Sequence, residues 1–304
     1  MTSPDHLPES DTDTDRAGAT TGTGGQVAAP PGGRLLAVAK RGAEYLLWAR
    51  VAVQRRVEQR LQQRDGEGRP VPTSVPPTGV LRTRAEWEKA VSEARHLRLP
   101  LHRDKPKNWD ALGAVAAVLA LADDGSRSAR VMDAGSARYS PVLPWLRLYG
   151  LGTEPASLLG INLEFGEPTH RDGVEFRYGD VTATGLAEGS LDAVTCMSVI
   201  EHGVPVEPFL AETARVLRPG GVLCLSTDYD QSPPDTAGHT AYGTTVRIFD
   251  PEQIRALVAA ADRVGLELVG DVSTPESLAH GERPVHWERL GLDYTFILLT
   301  FRRR

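Results

Sequence analysis

Between residue 109 and the C-terminus, apolar segments of helix length and of strand length take turns. That alternation restricts the possible architecture more than any other feature. Helical patterns are expected at 109–121, 141–149, 206–217 and 251–264, and strand patterns at 129–133, 157–163, 174–178, 191–197, 221–226, 266–270 and 293–301. Strands joined through helices run parallel, and the crossovers then cover both faces of the sheet. The expectation is an α/β fold: a mostly parallel seven-stranded sheet with helices on both faces. Ser140 is placed to cap the 141–149 helix, with Pro141 at its first position, and Asp250 to cap the last helix.

The first 110 residues read differently. Residues 1–33 are dominated by Asp, Thr, Gly and Pro, and a disordered tail is expected there. Residues 34–64 carry eight Lys or Arg against Glu44 and Glu58, with Leu35, Val38, Leu46, Trp48, Val53, Val57 and Leu61 at roughly helical spacing. This predicts an N-terminal helical extension, a basic amphipathic helix that either packs on the main domain or docks on a membrane surface or partner. Residues 65–80 read as a Pro/Gly linker. Residues 81–304 form the main domain, opened by a cap segment at 81–110 with a short helix at 84–97 and a basic stretch, H-R-D-K-P-K-N-W-D, at 102–110.

Charge and cysteine content exclude several classes. The 304 residues include 40 acidic and 34 Lys/Arg side chains, for a formal net charge of -6. A nucleic-acid binder would show a basic footprint instead, so no nucleic-acid partner is expected. Cys196 and Cys224 both sit in strand patterns, with no C-x-x-C pair and no Cys/His cluster. That argues against a structural zinc and for a reducing compartment. No apolar run approaches the ~20 residues that span a bilayer. The expected location is the cytoplasm, with 34–64 as the candidate for peripheral contact at the inner membrane face.

In a parallel sheet the ligand lies beyond the carboxyl ends of the strands, where strand order reverses. After the first predicted strand comes V-M-D-A-G-S-A-R-Y-S (131–140), a small-residue turn without the G-x-G-x-x-G spacing of a dinucleotide site. After the second comes G-I-N-L-E (160–164), where Asn162 or Glu164 is placed to accept from ribose hydroxyls. After the third comes Y-G-D-V (178–181), with Asp180 for an adenine amino group and Val181 to cover the ring. C-M-S-V-I-E-H-G (196–203) follows the fourth, and L-R-P-G-G (217–221) leads into the fifth.

In this order and spacing, the segments resemble the class I S-adenosylmethionine-dependent methyltransferases of the ubiquinone/menaquinone-methylase type, over about residues 109–301. The resemblance implies a Rossmann-like sheet with an antiparallel last strand and S-adenosyl-L-methionine as cofactor. It further implies that Asp133, Gly135 and Ser136 line the methionine part, that Asn162 occupies the ribose-binding position, and that Asp180 and Val181 hold adenine. Ser198 would border the sulfonium, and Glu201 and His202 would face the reaction centre. Ala137 and Tyr139 stand where the family has further glycines, and Asn162 where it has an acid. The flanking segments D-K-P-K-N-W-D, A-G-S-A-R-Y-S-P-V-L-P-W, S-V-I-E-H-G-V, S-T-D-Y, V-R-I-F and L-D-Y-T-F are similar to methyltransferases of bacterial glycan and sugar-conjugate pathways. The mycofactocin oligosaccharide methyltransferases of actinobacteria are among these, which implies 2-O-methylation of a sugar.

Methyl transfer to an alcohol requires alignment, desolvation and a proton acceptor. His202 is the first candidate base, with Glu201 to orient it or to bind a hydroxyl. Asp228 and Asp230 are second candidates, as base or as sugar ligands. Glu201, Asp228 and Asp230 also have the chemistry of an oxygen-ligand Mg²⁺ site; the reading adopted is metal-free. Candidate substrate residues are Trp109, Tyr139, Tyr229, Asp230, Tyr242 and Arg247, with His286 and Trp287 beside them. Lys105 and Lys107 are candidates to meet an anionic group, and 231–245 reads as a substrate lid. The expected partner is a small-molecule or oligosaccharide acceptor. Competing readings are a quinone, polyketide or lipid-linked acceptor, a nicotinamide-dependent oxidoreductase, and a non-catalytic methyltransferase-like binding subunit. Nothing in the sequence sets an oligomeric state.

Overall fold

The computed structural model describes residue 42 and residues 44–57, 68–241 and 243–304. The expected tail at 1–33 lies outside the described residues. The strands, in chain order, are β1 (Gly79–Val80), β2 (Val131–Ala134), β3 (Leu158–Asn162), β4 (Thr169–Arg171), β5 (Val174–Tyr178), β6 (Leu191–Met197) and β7 (Leu217–Tyr229). They continue with β8 (Thr240–Ala241), β9 (Thr244–Thr245), β10 (Leu266–Leu268), β11 (Val285–Trp287) and β12 (Leu292–Arg303). The helices are α1 (residues 44–57), α2 (Arg84–His96), α3 (Lys107–Ala117), α4 (Val142–Leu148), α5 (Val206–Val216) and α6 (Pro251–Arg263).

The sheet order is β4-β5-β3-β2-β6-β7-β12. β5, β3, β2, β6 and β7 pair in parallel, and β12 runs antiparallel to β7. All seven expected strands are present. Two of the additional strands, β1 and β11, pair with β12, as does the expected β10. An edge that would otherwise offer unpaired N–H and C=O groups is thereby covered. The parallel strands are apolar on both faces because both faces are covered. Val131, Val222 and Cys224 face α3 and α4, whereas Met132, Leu223 and Leu225 face α5 and α6.

Helix ends follow local chemistry. Asp250 Oδ1 accepts from Gln253 N at 2.8 Å and Pro251 opens α6, as expected. Ser140 does not cap α4. Its hydroxyl instead accepts from Ala137 N at 3.3 Å, and Pro141 flanks the helix. The predicted 109–121 helix runs over Lys107–Ala117 and ends in a π-helical turn, Val118–Ala122.

One N-terminal expectation changes, and for the basic helix the described part shows the first of its two readings. The described part of the expected linker is packed: Val75 and Val80 are buried, and Thr73 N and Ser74 N donate to the Glu93 carboxylate at 2.8 and 2.9 Å. Val75 occupies space left by Gly113, where an added Cβ would lie 2.7 Å from Val75 Cγ1. The described part of the basic helix, α1, packs on the domain. Trp48 and Val51 are buried, the Trp48 indole N–H donates to Arg138 O at 2.9 Å, and Arg55 pairs with Asp172 at 2.7 Å. Trp48 also meets Phe176 edge-on, with ring centroids 5.8 Å apart. Trp48→Ala is expected to cost about 3 kcal/mol, the usual scale for emptying a buried aromatic site. Urea denaturation followed by far-ultraviolet circular dichroism checks this, and an unchanged midpoint would mean that α1 is not part of the cooperative fold.

Candidate cofactor and acid–base site

Strand order reverses between β2 and β6, and the turns that leave these two strands press against each other. Gly135 has φ 73°, and a Cβ there would lie 2.5 Å from Val199 Cγ1. Only glycine satisfies both the backbone conformation and the contact. Ala137 and Tyr139 do not have positive φ, so this turn needs no glycine where the family has them. Across from Gly135, Ser198 has φ 53°, a conformation that non-glycine residues seldom adopt. Ser198 N donates to Ser226 O at 3.0 Å, while the buried Ser198 hydroxyl has no hydrogen-bond partner among the described residues. Strain and an unsatisfied polar atom coincide where the ligand of such a sheet belongs.

Asp133 is sealed beneath the turn. Thr195 Oγ1 donates to its Oδ1 at 2.6 Å, and burial pushes its pKa up to about 6. Ser136 is also buried. Asn162 is spent on the backbone: its Nδ2 donates to Gly135 O at 3.3 Å and Ser136 O at 3.0 Å, and its Oδ1 accepts from Glu164 N at 2.8 Å. A carboxylate at this position would face two carbonyl oxygens with nothing to donate, which accounts for the amide. Glu164 stands exposed beside it, and its charge adds to burial in raising the Tyr139 pKa. Asp180 is half-buried, with one carboxylate oxygen taken by Thr182 N and Oγ1 at 2.8 and 2.7 Å; Val181 beside it packs on the core.

The acid–base groups gather around Lys107. Its ammonium lies 4.8 Å from the centroid of the Phe296 ring. Burial opposes its charge, but Asp110, Asp228 and Glu201 outweigh burial and hold its pKa above the ordinary lysine value. Asp110 accepts from Ser226 Oγ at 2.7 Å. Glu201 accepts from Thr227 Oγ1 at 3.0 Å, and burial together with the Asp228 charge raises its pKa well above the usual carboxylate range. Burial raises Asp228 to about 7, against the opposing pull of Lys107 and hydrogen bonds from the Tyr294 hydroxyl and Glu201. These two facing carboxyl groups are therefore set to share a proton.

This arrangement reassigns several expected roles. Glu201 is engaged with Thr227 and Asp228 rather than orienting His202. His202 sits edge-on to Trp287, 6.3 Å between centroids, and burial, then Lys107, lowers its pKa to about 4. Its imidazolium is disfavoured, and it is a weaker base than Asp228. Lys107 belongs to the carboxylate cluster, while Lys105 is exposed.

The expected substrate residues divide. Trp109 and Tyr229 are core side chains, and the Tyr229 hydroxyl donates to Leu278 O at 2.7 Å. Asp230 is clasped by Arg283 at 2.6 and 3.0 Å, on the wall of a cleft of about 630 Å³ shared with His280 and Asp293. Arg247 lies over Phe249, 4.1 Å from its ring centroid, in a different cleft between α5 and α6. Tyr139 is half-buried and stacks on His102 with centroids 6.0 Å apart. His286 is exposed and pairs with Asp293 at 2.7 Å. The Tyr242 side chain lies outside the described residues. Among the described residues no group of three or more His, Cys, Asp or Glu side chains is arranged to hold a metal ion. The expected lid carries the hairpin β8–β9, whose Thr244 packs against Gly203, next to His202. Asp110, Tyr294 and Arg283 were not singled out from the sequence, although the first two lie in segments quoted for the resemblance.

Residues 133–225 match the family described as methyltransferase domain. Over 91 residues the chain is 34% identical to the ubiquinone biosynthesis O-methyltransferase of Rhizobium johnstonii, covering 26% of this chain and 37% of that protein. It is 31% identical over 91 residues to the protein of the same name from Agrobacterium fabrum, covering 26% and 36%. The matched segment thus spans little more than a third of these relatives. The crystal structure of the Burkholderia thailandensis 1,6-didemethyltoxoflavin-N1-methyltransferase, with 1,6-didemethyltoxoflavin and S-adenosylhomocysteine bound, is similar at 16% identity and a TM-score of 0.45, covering 72% of this chain and 86% of that one. The segment similar to a methyltransferase domain thus runs from the Asp133 turn to Leu225 in β7.

Two predictions follow from this geometry. Asn162→Asp, though it restores the acid usual in the family, is expected to destabilise the fold by about 1–3 kcal/mol through two lost donors and a charge facing carbonyls. A raised or unchanged melting temperature would refute that account. His202 is held neutral in the fold down to about pH 4, against 6.5 for a free imidazole. The unfolded chain therefore binds the extra proton between these values, and stability falls as pH drops through that window. His202→Phe should flatten this part of the pH–stability curve, as read by thermal melts.

Proposed function

We propose that the chain is an S-adenosylmethionine-dependent O-methyltransferase that modifies a hydroxyl of a sugar or glycan conjugate in the cytoplasm. In its most specific form the substrate is a glucose unit of a mycofactocin oligosaccharide, methylated at the 2-O position. The observation that carries the reading is the buried Glu201–Asp228 pair, a proton acceptor tuned to about neutral pH, beside the turns of the methyltransferase domain. The residues present support a fit to the cofactor: the unpartnered Ser198 hydroxyl and the strained turn favour a ligand there, and the neighbouring carboxylates suit a cationic sulfonium. When bound, S-adenosylmethionine supplies an electrophilic methyl group with a neutral thioether as leaving group.

The chain's own residues supply the rest. Gly135, Ser136 and Ser198 border the methionine part, Glu164 accepts from ribose hydroxyls in place of the occupied Asn162, and Asp180 and Val181 hold the adenine. Asp228 takes the acceptor hydroxyl's proton at its carboxylate. Glu201 and Lys107 set the proton affinity of that carboxylate. The 231–245 segment excludes water from the reaction. The 34% identity to a ubiquinone biosynthesis O-methyltransferase supports a second reading, in which the acceptor is a quinone-type hydroxyl.

Calorimetric titration with S-adenosylhomocysteine, with NADH and NADPH as controls, tests the cofactor. Saturable binding of the first alone is expected, and binding of a nicotinamide instead would overturn the proposal. Glucosylated and phenolic acceptors are then compared for a one-methyl mass gain. Asp228→Asn is expected to lower kcat by about 10²–10⁴, the usual contribution of a general base, with S-adenosylhomocysteine affinity retained. Because Asp228 acts when deprotonated, wild-type turnover rises with pH through about 7. A larger loss in His202→Ala than in Asp228→Asn would return the base role to His202.

A further inference from the structure

Helix α1 has two apolar faces, and among the described residues only one of them is covered. Trp48 and Val51 are 5% and 0% exposed and belong to the core. On the other side, Tyr45, Leu46, Val53 and Val57 are 76%, 69%, 60% and 46% exposed. Ala49 is exposed between them. Positions 45, 46, 49, 53, 56 and 57 follow the spacing of a single helical stripe. Among the described residues, seven large hydrophobic side chains are exposed, and four of them lie on these four turns of helix. Scattered exposed hydrophobics are ordinary, whereas a concentrated patch marks an interaction surface.

The charge identifies the occupant. Arg50 and Arg56 are exposed on the same side of α1 as the apolar stripe. The segment 34–64 carries eight basic residues against two acidic ones in a chain of net charge -6. An apolar stripe bordered by arginines matches the boundary between acyl chains and anionic headgroups. The rest of the chain, being acidic, would be repelled by that surface, so contact is confined to this segment. Among the described residues no helix is long and apolar enough to cross a membrane, so the contact is peripheral.

We infer that α1 docks this protein on anionic phospholipid bilayers through Tyr45, Leu46, Val53 and Val57, with Arg50 and Arg56 at the headgroups. The docked helix is tied to the cofactor turn, because the Trp48 indole bonds Arg138 O five residues beyond Asp133. Membrane contact therefore fixes the position of the candidate site relative to the bilayer. This inference goes beyond the proposed activity and holds for any acceptor.

Flotation of the full chain with phosphatidylcholine vesicles, with and without phosphatidylglycerol, tests it. The expected result is roughly tenfold or greater enrichment on anionic vesicles, reduced by salt. Leu46→Glu/Val53→Glu and Arg50→Glu/Arg56→Glu variants are expected to lose that enrichment while keeping the wild-type melting temperature. The comparison of vesicle types on the unaltered chain stands even if a variant fails to fold. Absence of binding to anionic vesicles, or equal binding to phosphatidylcholine alone, would overturn the inference. So would sedimentation showing a dimer that Leu46→Glu/Val53→Glu dissociates without lipid, since a second copy would then cover the stripe. Neither result depends on methyl transfer, so its failure is distinct from failure of the proposed activity.

Discussion

Three buried carboxylates around one ammonium group form the constraint on which the candidate site depends. Asp110, Glu201 and Asp228 come from α3, from the turn after β6 and from the end of β7, and Lys107 is the cation among them. The charges do not balance. Removing several carboxylates from water with too few counter-charges is unfavourable, and the fold resolves this by retaining protons. Burial, with the nearby Lys107 charge, suppresses the charged form of His202. Burial accordingly raises the Asp228 pKa to about 7 and the Glu201 pKa well above the usual carboxylate range.

The turn region shows a second compromise. Gly135 and Ser198 adopt left-handed backbone, Gly135 leaves room for Val199, and the Asn162 amide links the ends of β2 and β3 by bonding two carbonyls. What looks in the sequence like a weakened ribose contact is a structural clamp, and Glu164 carries the free charge two residues later. An amide and a carboxylate are similar in size but opposite in what they offer a carbonyl oxygen, so only the amide can make this clamp.

Helix α1 reconciles two expectations that seemed to exclude each other. A helix of ordinary globular proteins buries one stripe and exposes a polar back. Here Trp48 and Val51 secure α1 to the β5 side of the sheet, and Tyr45, Leu46 and Val53 remain on the surface. The tryptophan that suggested an interfacial anchor is instead part of the core.

The sequence by itself determined the order of the main helices and the seven expected strands, the parallel centre of the sheet, the turns that carry the candidate site, and the Asp250 cap. These depend on periodicity, small-residue turns and local hydrogen bonding, all of which act over a few residues. Tertiary structure alone decided which polar side chains remain free. Trp109 and Tyr229 looked like substrate platforms until packing buried them, and Asp230 looked like a sugar ligand until Arg283, 53 residues away, clasped it. Proton affinities at Glu201, Asp228 and His202 were equally illegible, because they arise from burial and from charges that α3, β7 and β12 bring together from distant parts of the chain. Local patterns encode backbone conformation, whereas desolvation and charge pairing belong to the assembled fold.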